Sequence, residues 1–308
     1  MSLGTGPQTF LYVWESPGGR AALPFSVRSF QGAEDLYTPY GFGGFVGEGD
    51  CSGVPSDWRS FAEGNGFVAG FLGINPVVGR PNSFPSGERF AYNHVYLLDL
   101  ARSEDEACRD LSESRRQQVR AFRKREGLLV DDRLRCAEFL LTRTGEFLDG
   151  KGASRVPFRN RTTLEALVAL PNVLLLGAGS SSELQAVSMF TFTEHVAEYF
   201  LSVSVPEGRQ YSTALVWEGS RILGRLGIPW LNLGGGIVPG DGVARFKERF
   251  GGETRPLECL KQVYDPERYG DLCAAAGCDA GSFDGFFPPY HRETASPLDP
   301  SSSDSGPS

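Results

Sequence analysis

Hydrophobic positions along this chain follow two periods, and the segments between them are marked by glycine and proline. Residues 10–14 and 21–27 are short apolar runs separated by Pro17-Gly18-Gly19, which predicts a β-hairpin. Residues 37–45 are too rich in glycine and aromatic side chains to form a helix interior. Residues 57–65 are spaced as a short amphipathic helix, 66–73 as a strand and 94–100 as a β-branched and aromatic strand. The character then changes: residues 103–127 are charged, with Ala107, Leu111, Val119 and Phe122 at loose helical spacing, which predicts a long surface helix or a helix pair. Residues 173–176, 184–192 and 198–205 read as successive strands. Residues 212–227 place Leu215, Ile222, Leu223 and Leu226 on one helical face. A strand over 229–233 runs into Gly234-Gly235-Gly236, and 243–250 form a short amphipathic helix. From about residue 294 the Ser/Pro/Asp-rich tail has too little apolar area to bury and is expected to be disordered.

Both sections flanking the charged segment near residue 103 mix strands with a few helices, an α+β pattern and not strictly alternating βαβ units. The chain has 308 residues and a net charge of -8, so overall electrostatics do not favour nucleic acid. No run approaches the ~20 apolar residues of a membrane span, and Met1 to Gly6 lack the charged and apolar regions of a signal peptide. A cytoplasmic protein is the expectation.

Composition narrows the chemistry further. The six cysteines contain no CxxC pair and the three histidines join no HExxH motif, so reduced structural thiols and no metal are expected. Gly177-Ala178-Gly179 lacks the third glycine of a dinucleotide fingerprint, and Gly234-Gly235-Gly236 opens no helix. GxSxG is absent, and the Ser180-Ser181-Ser182 loop has no neighbouring base in sequence. Oxidoreductase and serine-hydrolase readings fall away. Lysine is scarce, with Lys124, Lys151, Lys247 and Lys261 the four present, so each invites an individual explanation.

One succession of segments is more specific. Glu198-Tyr199-Phe200-Leu201-Ser202 is followed by a helix containing Trp217-Glu218, a strand ending Asn232-Leu233-Gly234-Gly235-Gly236, and Phe246-Lys247 before Phe250-Gly251. Tyr40-Gly41-Phe42-Gly43-Gly44, preceded by Asp35, lies upstream, as do the strand 95–100 and the basic helix 115–125. In this order, across residues 10–255, the segments resemble the Fem-like aminoacyl- and acyltransferases of the GNAT superfamily.

The resemblance implies two tandem GNAT-like halves with an active cleft between them: residues 1–102 completed by about 251–293, and 103–250, followed by the tail 294–308. It implies amide formation, with an aminoacyl or acyl group passing to an amine of a small molecule or peptide. The acyl donor is aminoacyl-tRNA or acyl-CoA as co-substrate, with no bound cofactor and no membrane partner. Such a reaction needs a positioned carbonyl, a neutral amine and donors aimed at the developing oxyanion. Lys247 matches the family's Phe-Lys position, where a cation can stabilise that oxyanion; the bland alternative is a solvated helix lysine. Asp35 and Glu218 are candidates for accepting the amine proton. Tyr40, Gly43 and Gly44, together with Tyr199, Trp217, Asn232, Gly234, Gly235 and Gly236, are candidate substrate or donor contacts. The glycines serve equally well as turns or bulges. Arg115, Arg120 and Lys124, with Arg116 and Arg123, form a basic stripe suited to phosphate, though such stripes are usually solvated helix faces. A GNAT-fold binding module without turnover is the rival reading.

Overall fold

Residues 9–30 fold back on themselves as their turn chemistry demands: β1 (Thr9–Ser16) and β2 (Gly19–Phe30) pair antiparallel from Thr9↔Ser26 to Ser16↔Gly19. The structure, a computed structural model, describes residues 8–79, 84–125, 127–150, 159–180 and 183–294. The tail beyond residue 294 and Ser181-Ser182 of the serine loop lie outside the described residues. The chain forms two compact units, residues 1–93 with 256–308, and residues 94–255. It passes out of the first unit within β6 (Arg89–Asp99) and returns within β12 (Glu253–Val263).

In the first unit the strand order is β1-β2-β3-β5-β12, with β4 (Val46–Gly49) also on β2. Here β3 (Ala33–Tyr37) runs parallel to β5 (Ala69–Ile74), and α1 (Val54–Gly64) lies between them in sequence. Parallel neighbours require such a crossover. Helix α1 buries Val54, Trp58 and Ala62, spaced four apart on one face, in a cluster with Leu23, Leu36, Leu72 and Leu260. Trp58 is completely buried, and its indole N–H donates to Gln262 Oε1 and Tyr264 Oη, each at 3.0 Å. Strand alternation turns Phe71 and Cys259 away from Leu72 and Leu260, into a second cluster with Tyr269 and Leu272 of α8 (Pro266–Ala275).

In the second unit the order is β6-β11-β10-β9-β8-β7. Strands β7 (Leu129–Val130), β8 (Val173–Gly179), β9 (Leu184–Phe192) and β10 (Ala197–Ser204) pair antiparallel in turn. Strand β11 (Trp230–Asn232) is parallel to β10 and antiparallel to β6. Helix α6 (Ser212–Arg225) packs Leu215, Trp217 and Leu223 into one cluster with Leu176, Phe190 and Leu231. Facing away from that cluster, Gly177 lies beside Cys136 of α4 (Arg133–Asp149). The charged segment after residue 103 resolves as a pair, α2 (Glu104–Asp110) and α3 (Glu113–Arg123), because Leu111 and Ser112 are both extended. The remaining helix of this unit is α5 (Arg161–Ala169). The architecture is α+β throughout. Among the described residues no helix is long and apolar enough to cross a membrane.

Candidate functional site

Strands β10 and β11 pair in parallel at Ala197↔Leu231 and Glu198↔Asn232, and there they part. Past this point β10 continues to Ser204 along β9, with a bulge between Tyr199 and Leu201, whereas β11 stops at Asn232. The chain leaves β11 through Gly234, whose φ of +71° suits glycine and few other residues. Asn232, fully buried, fixes this exit by accepting the Gly234 N–H on its Oδ1 at 2.8 Å.

One carboxylate organises the segment from residue 235 to residue 248. Asp241 caps α7 (Gly242–Glu248), its Oδ1 accepting from the Ala244 N–H at 2.7 Å. Its Oδ2 accepts from the Ile237 and Val238 N–H groups at 2.8 and 3.2 Å. Helix and glycine loop are thereby held together, and Lys247 of α7 reaches back to donate from Nζ to the Gly235 carbonyl at 2.6 Å.

The electrostatics of this corner are unusual. Burial pushes the Lys247 ammonium down to about 8, against the opposing pull of Asp241 and Glu198. Burial likewise raises the Glu198 carboxyl well above the carboxylate range, an effect moderated by the Asn232 amide and by Lys247. The Tyr96 phenol is raised too, by desolvation and then by Glu248 and Asp241. The site thus combines a desolvated cation, a desolvated acid, a buried amide and a glycine loop, which is equipment for holding and polarising a carbonyl.

Of the residues singled out in sequence, Lys247, Asn232, Gly234, Gly235 and Gly236 come together here. Others of the same unit do not. Trp217, 3% exposed, belongs to the core, and Tyr199, part-buried, packs against it on Phe190 at 5.6 Å, its phenol raised in pKa by desolvation. Glu218 is held by Arg123 through a two-point contact of 2.6 and 3.1 Å, and Arg123 also pairs with Glu104. That engagement ties α6 to the α2–α3 pair and leaves Glu218 poorly placed to collect a proton.

The basic stripe is divided. Arg115 is buried, donating to Gln118 Oε1 and Thr213 Oγ1 at 2.9 and 2.6 Å and stacking 4.4 Å from the Phe246 ring. Arg116 is spent on Glu113 and on the Arg109 and Leu111 carbonyls at the end of α2. Arg120 and Lys124 are exposed and so remain available to a phosphate.

Asp35, Tyr40, Gly43 and Gly44 belong to the first unit. Asp35 is fully buried, accepting from the Ala69 N–H at 2.9 Å and from Tyr290 Oη and His291 Nε2, each at 2.8 Å. Three partners and no exposure make it an anchor for the C-terminal segment, a task that competes with proton transfer to a substrate. Gly44, at φ +132°, sits close to the Gly73 carbonyl and Asn75 N–H, so the glycine loop is seated on the end of β5. Asn75 Nδ2 completes that seat by donating to the Phe42 carbonyl at 2.6 Å.

Glu198, quoted in sequence only as the start of the Tyr199 segment, was not itself singled out as a site residue. Its signal was a lone charge inside an otherwise apolar strand, AEYFLSVS, where burial of a carboxylate calls for an explanation. Among the described residues no group of three or more His, Cys, Asp or Glu side chains is placed to hold a metal ion. The cysteines are free, and burial pushes the Cys136 and Cys259 thiols up to about 12, out of the reactive range.

Solved structures share this fold. The crystal structure of FemX superposes with a TM-score of 0.64 at 12% identity, over 86% of this chain and 90% of FemX. The C-terminal domain of a putative lysylphosphatidylglycerol synthetase from Agrobacterium fabrum gives 0.55 at 14% identity, over 82% and 83% of the two chains. L-PGS from Bacillus licheniformis gives 0.52 at 14%, over 78% and 80%. No protein-family model and no curated protein matches the sequence. The chain shares its fold with FemX and with these synthetase domains.

Proposed function

We propose that the protein is an N-acyltransferase, moving an aminoacyl or acyl group from aminoacyl-tRNA or acyl-CoA onto an amine of a small molecule or peptide in the cytoplasm. The observation that carries the reading is Lys247, a desolvated ammonium held over the Gly235 carbonyl at the point where β10 and β11 part. With its pKa near 8 it remains roughly nine-tenths protonated at neutral pH, so it supplies a cation to an oxygen that gains charge as the carbonyl is attacked. A tetrahedral oxyanion beside Nζ would take over the hydrogen bond now made to Gly235. Preorganised donors of this kind contribute about 3 kcal/mol each to such reactions. The likeness of fold to FemX and to lysylphosphatidylglycerol synthetase domains supports acyl transfer as the reaction class.

Exposed Arg120 and Lys124 are the proposed phosphate contacts of the donor, a role shared by the tRNA backbone and the coenzyme A diphosphate. The test supplies the purified protein with radiolabelled aminoacyl-tRNAs or with a panel of labelled acyl-CoAs, and a cell extract as acceptor. New labelled amide from one pool identifies the donor. Absence of transfer from both pools refutes the enzyme reading and leaves a binding module of the same fold.

A further inference from the structure

Helix α8 ends in a pattern that brings two cysteines together. Its last turn is Cys273-Ala274-Ala275, followed by Ala276, Gly277 and Cys278. Gly277 takes the left-handed conformation at φ +67°, and its N–H donates to the Ala274 carbonyl at 3.1 Å. The Cys278 N–H donates to the Cys273 carbonyl at 2.9 Å, completing a Schellman cap. Such a cap folds the residue after the glycine back onto the third residue from the helix end, where an apolar contact commonly sits. In this helix both positions are cysteine. The Cys278 thiol donates to the Cys273 carbonyl at 3.4 Å, and both side chains pack in the cluster around Tyr269 and Phe287. Their exposures differ: Cys273 is 1% exposed, whereas Cys278 is half-buried between exposed neighbours. Burial, and next the Cys278 thiol, raise the pKa of the Cys273 thiol, which suits it to answer a sulfur set beside it and not a solute.

We propose that Cys273 and Cys278 form a reversible disulfide on exposure to peroxide, a covalent modification that pins the segment following α8 to the end of the helix. Cys278, the thiol that solvent reaches, reacts first as its thiolate. An S–O bond forms, the O–O bond of hydrogen peroxide breaks, and the second oxygen takes up a proton and leaves as water. Cys278 is then a sulfenic acid. The Cys273 sulfur attacks the Cys278 sulfur, the S–S bond forms, the S–O bond breaks, and the hydroxyl leaves as water with the Cys273 proton. Two thiols and one peroxide thus give one disulfide and two waters. The proximity set by the cap favours this second step over further oxidation. A thiol reductant such as glutathione reverses it by exchange. The pinned segment holds Phe283, which stacks on Phe90 and Phe287, and it leads to Tyr290 and His291, the partners of Asp35. In a reducing compartment a disulfide of this kind is transient and reports oxidant.

The test treats reduced full-length protein with hydrogen peroxide sufficient to oxidise free cysteine in the same tube, then alkylates it in denaturant and digests it with trypsin. Cys273 and Cys278 fall on one tryptic peptide, residues 269–292. The expected product is that peptide two hydrogens lighter and unalkylated, restored to two alkylated thiols by dithiothreitol. Proteolysis of the folded protein within residues 279–294 should slow by about threefold or more on oxidation. Cys278→Ser should leave Cys273 alkylated after peroxide and abolish the slowing, and Cys278→Ala repeats that control if the serine variant folds poorly by circular dichroism. A peptide that keeps two alkylated thiols, or that gains oxygen at Cys278 without losing two hydrogens, overturns the disulfide. An unchanged cleavage rate in the disulfide form overturns the pinning.

Discussion

Replacing Lys247 with methionine separates what the lysine costs the fold from what it gives the site. Its ammonium is displaced from 10.5 to about 8, chiefly by burial. At ~1.4 kcal/mol per pH unit, that displacement is a penalty of about 3 kcal/mol carried by the folded state while the group is protonated. An amine whose folded pKa lies below its unfolded value leaves the unfolded chain with more bound protons between the two values. Stability therefore rises with pH from about 8 to 10.5 and is flat below that window. Methionine fills similar volume without charge, so Lys247→Met escapes the penalty at neutral pH but leaves the Gly235 carbonyl without its donor, worth about 1.5–3 kcal/mol. The two terms nearly cancel, and the variant is expected within about 1 kcal/mol of wild type near pH 7. Near pH 10 wild type should gain about 2–3 kcal/mol on the variant. Urea denaturation of both proteins at the two pH values measures the difference, with other titrating groups common to both. A stability gap that is equal at both values refutes the desolvated ammonium, and with it the reasoning that makes Lys247 a functional cation.

Three further outcomes are expected from the geometry. Asp35→Ala removes one member of a fully buried hydrogen-bonded set, taking away the carboxylate that Tyr290 Oη and His291 Nε2 bond to, and should cost about 3–5 kcal/mol by urea denaturation. Its C-terminal segment should also become the first site of limited proteolysis. Gly44→Ala places a Cβ against the Gly73 carbonyl at a φ of +132° and should lower stability by about 1–3 kcal/mol, read as a fall in melting temperature. Arg120→Ala with Lys124→Ala should leave stability within about 0.5 kcal/mol while raising the donor's KM, more steeply at low than at high salt.

The elements with strong local signals were legible in the sequence. The hairpin declared itself through Pro17-Gly18-Gly19, and β9 and α6 through period-2 and period-3.6 apolar patterns. Helix α4 did not, because its buried face is Cys136, Leu140, Thr144 and Leu148, two of them too small or polar to mark a stripe, while Leu134 at its start is 82% exposed. Strand β12 was hidden by Pro256, which breaks the look of a strand without ending it. At the site, Lys247 and the glycines were singled out through the resemblance to Fem-like transferases, whose Phe-Lys and strand-end glycine segments they match. Asp35 and Glu218 were weighed as proton acceptors because they are the acids beside the Tyr40 loop and Trp217 in the resembling segments, and their engagement with Tyr290, His291 and Arg123 depends on chain distances that spacing does not encode. Glu198 required knowing that β10 and β11 separate beside it.

The double duty of Asp241 has an evolutionary consequence. Its two oxygens hold the helix that carries Lys247 and the start of the loop 237–240, so the placement of the cation is decoupled from what that loop displays. Ile237 and Val238 are 63% and 49% exposed and make no demand on the core. These side chains can therefore be rewritten while the proposed reacting centre stays untouched, provided the aspartate stays. The loop is a replaceable face on a fixed mount, and directed evolution for altered substrate range would do well to begin there.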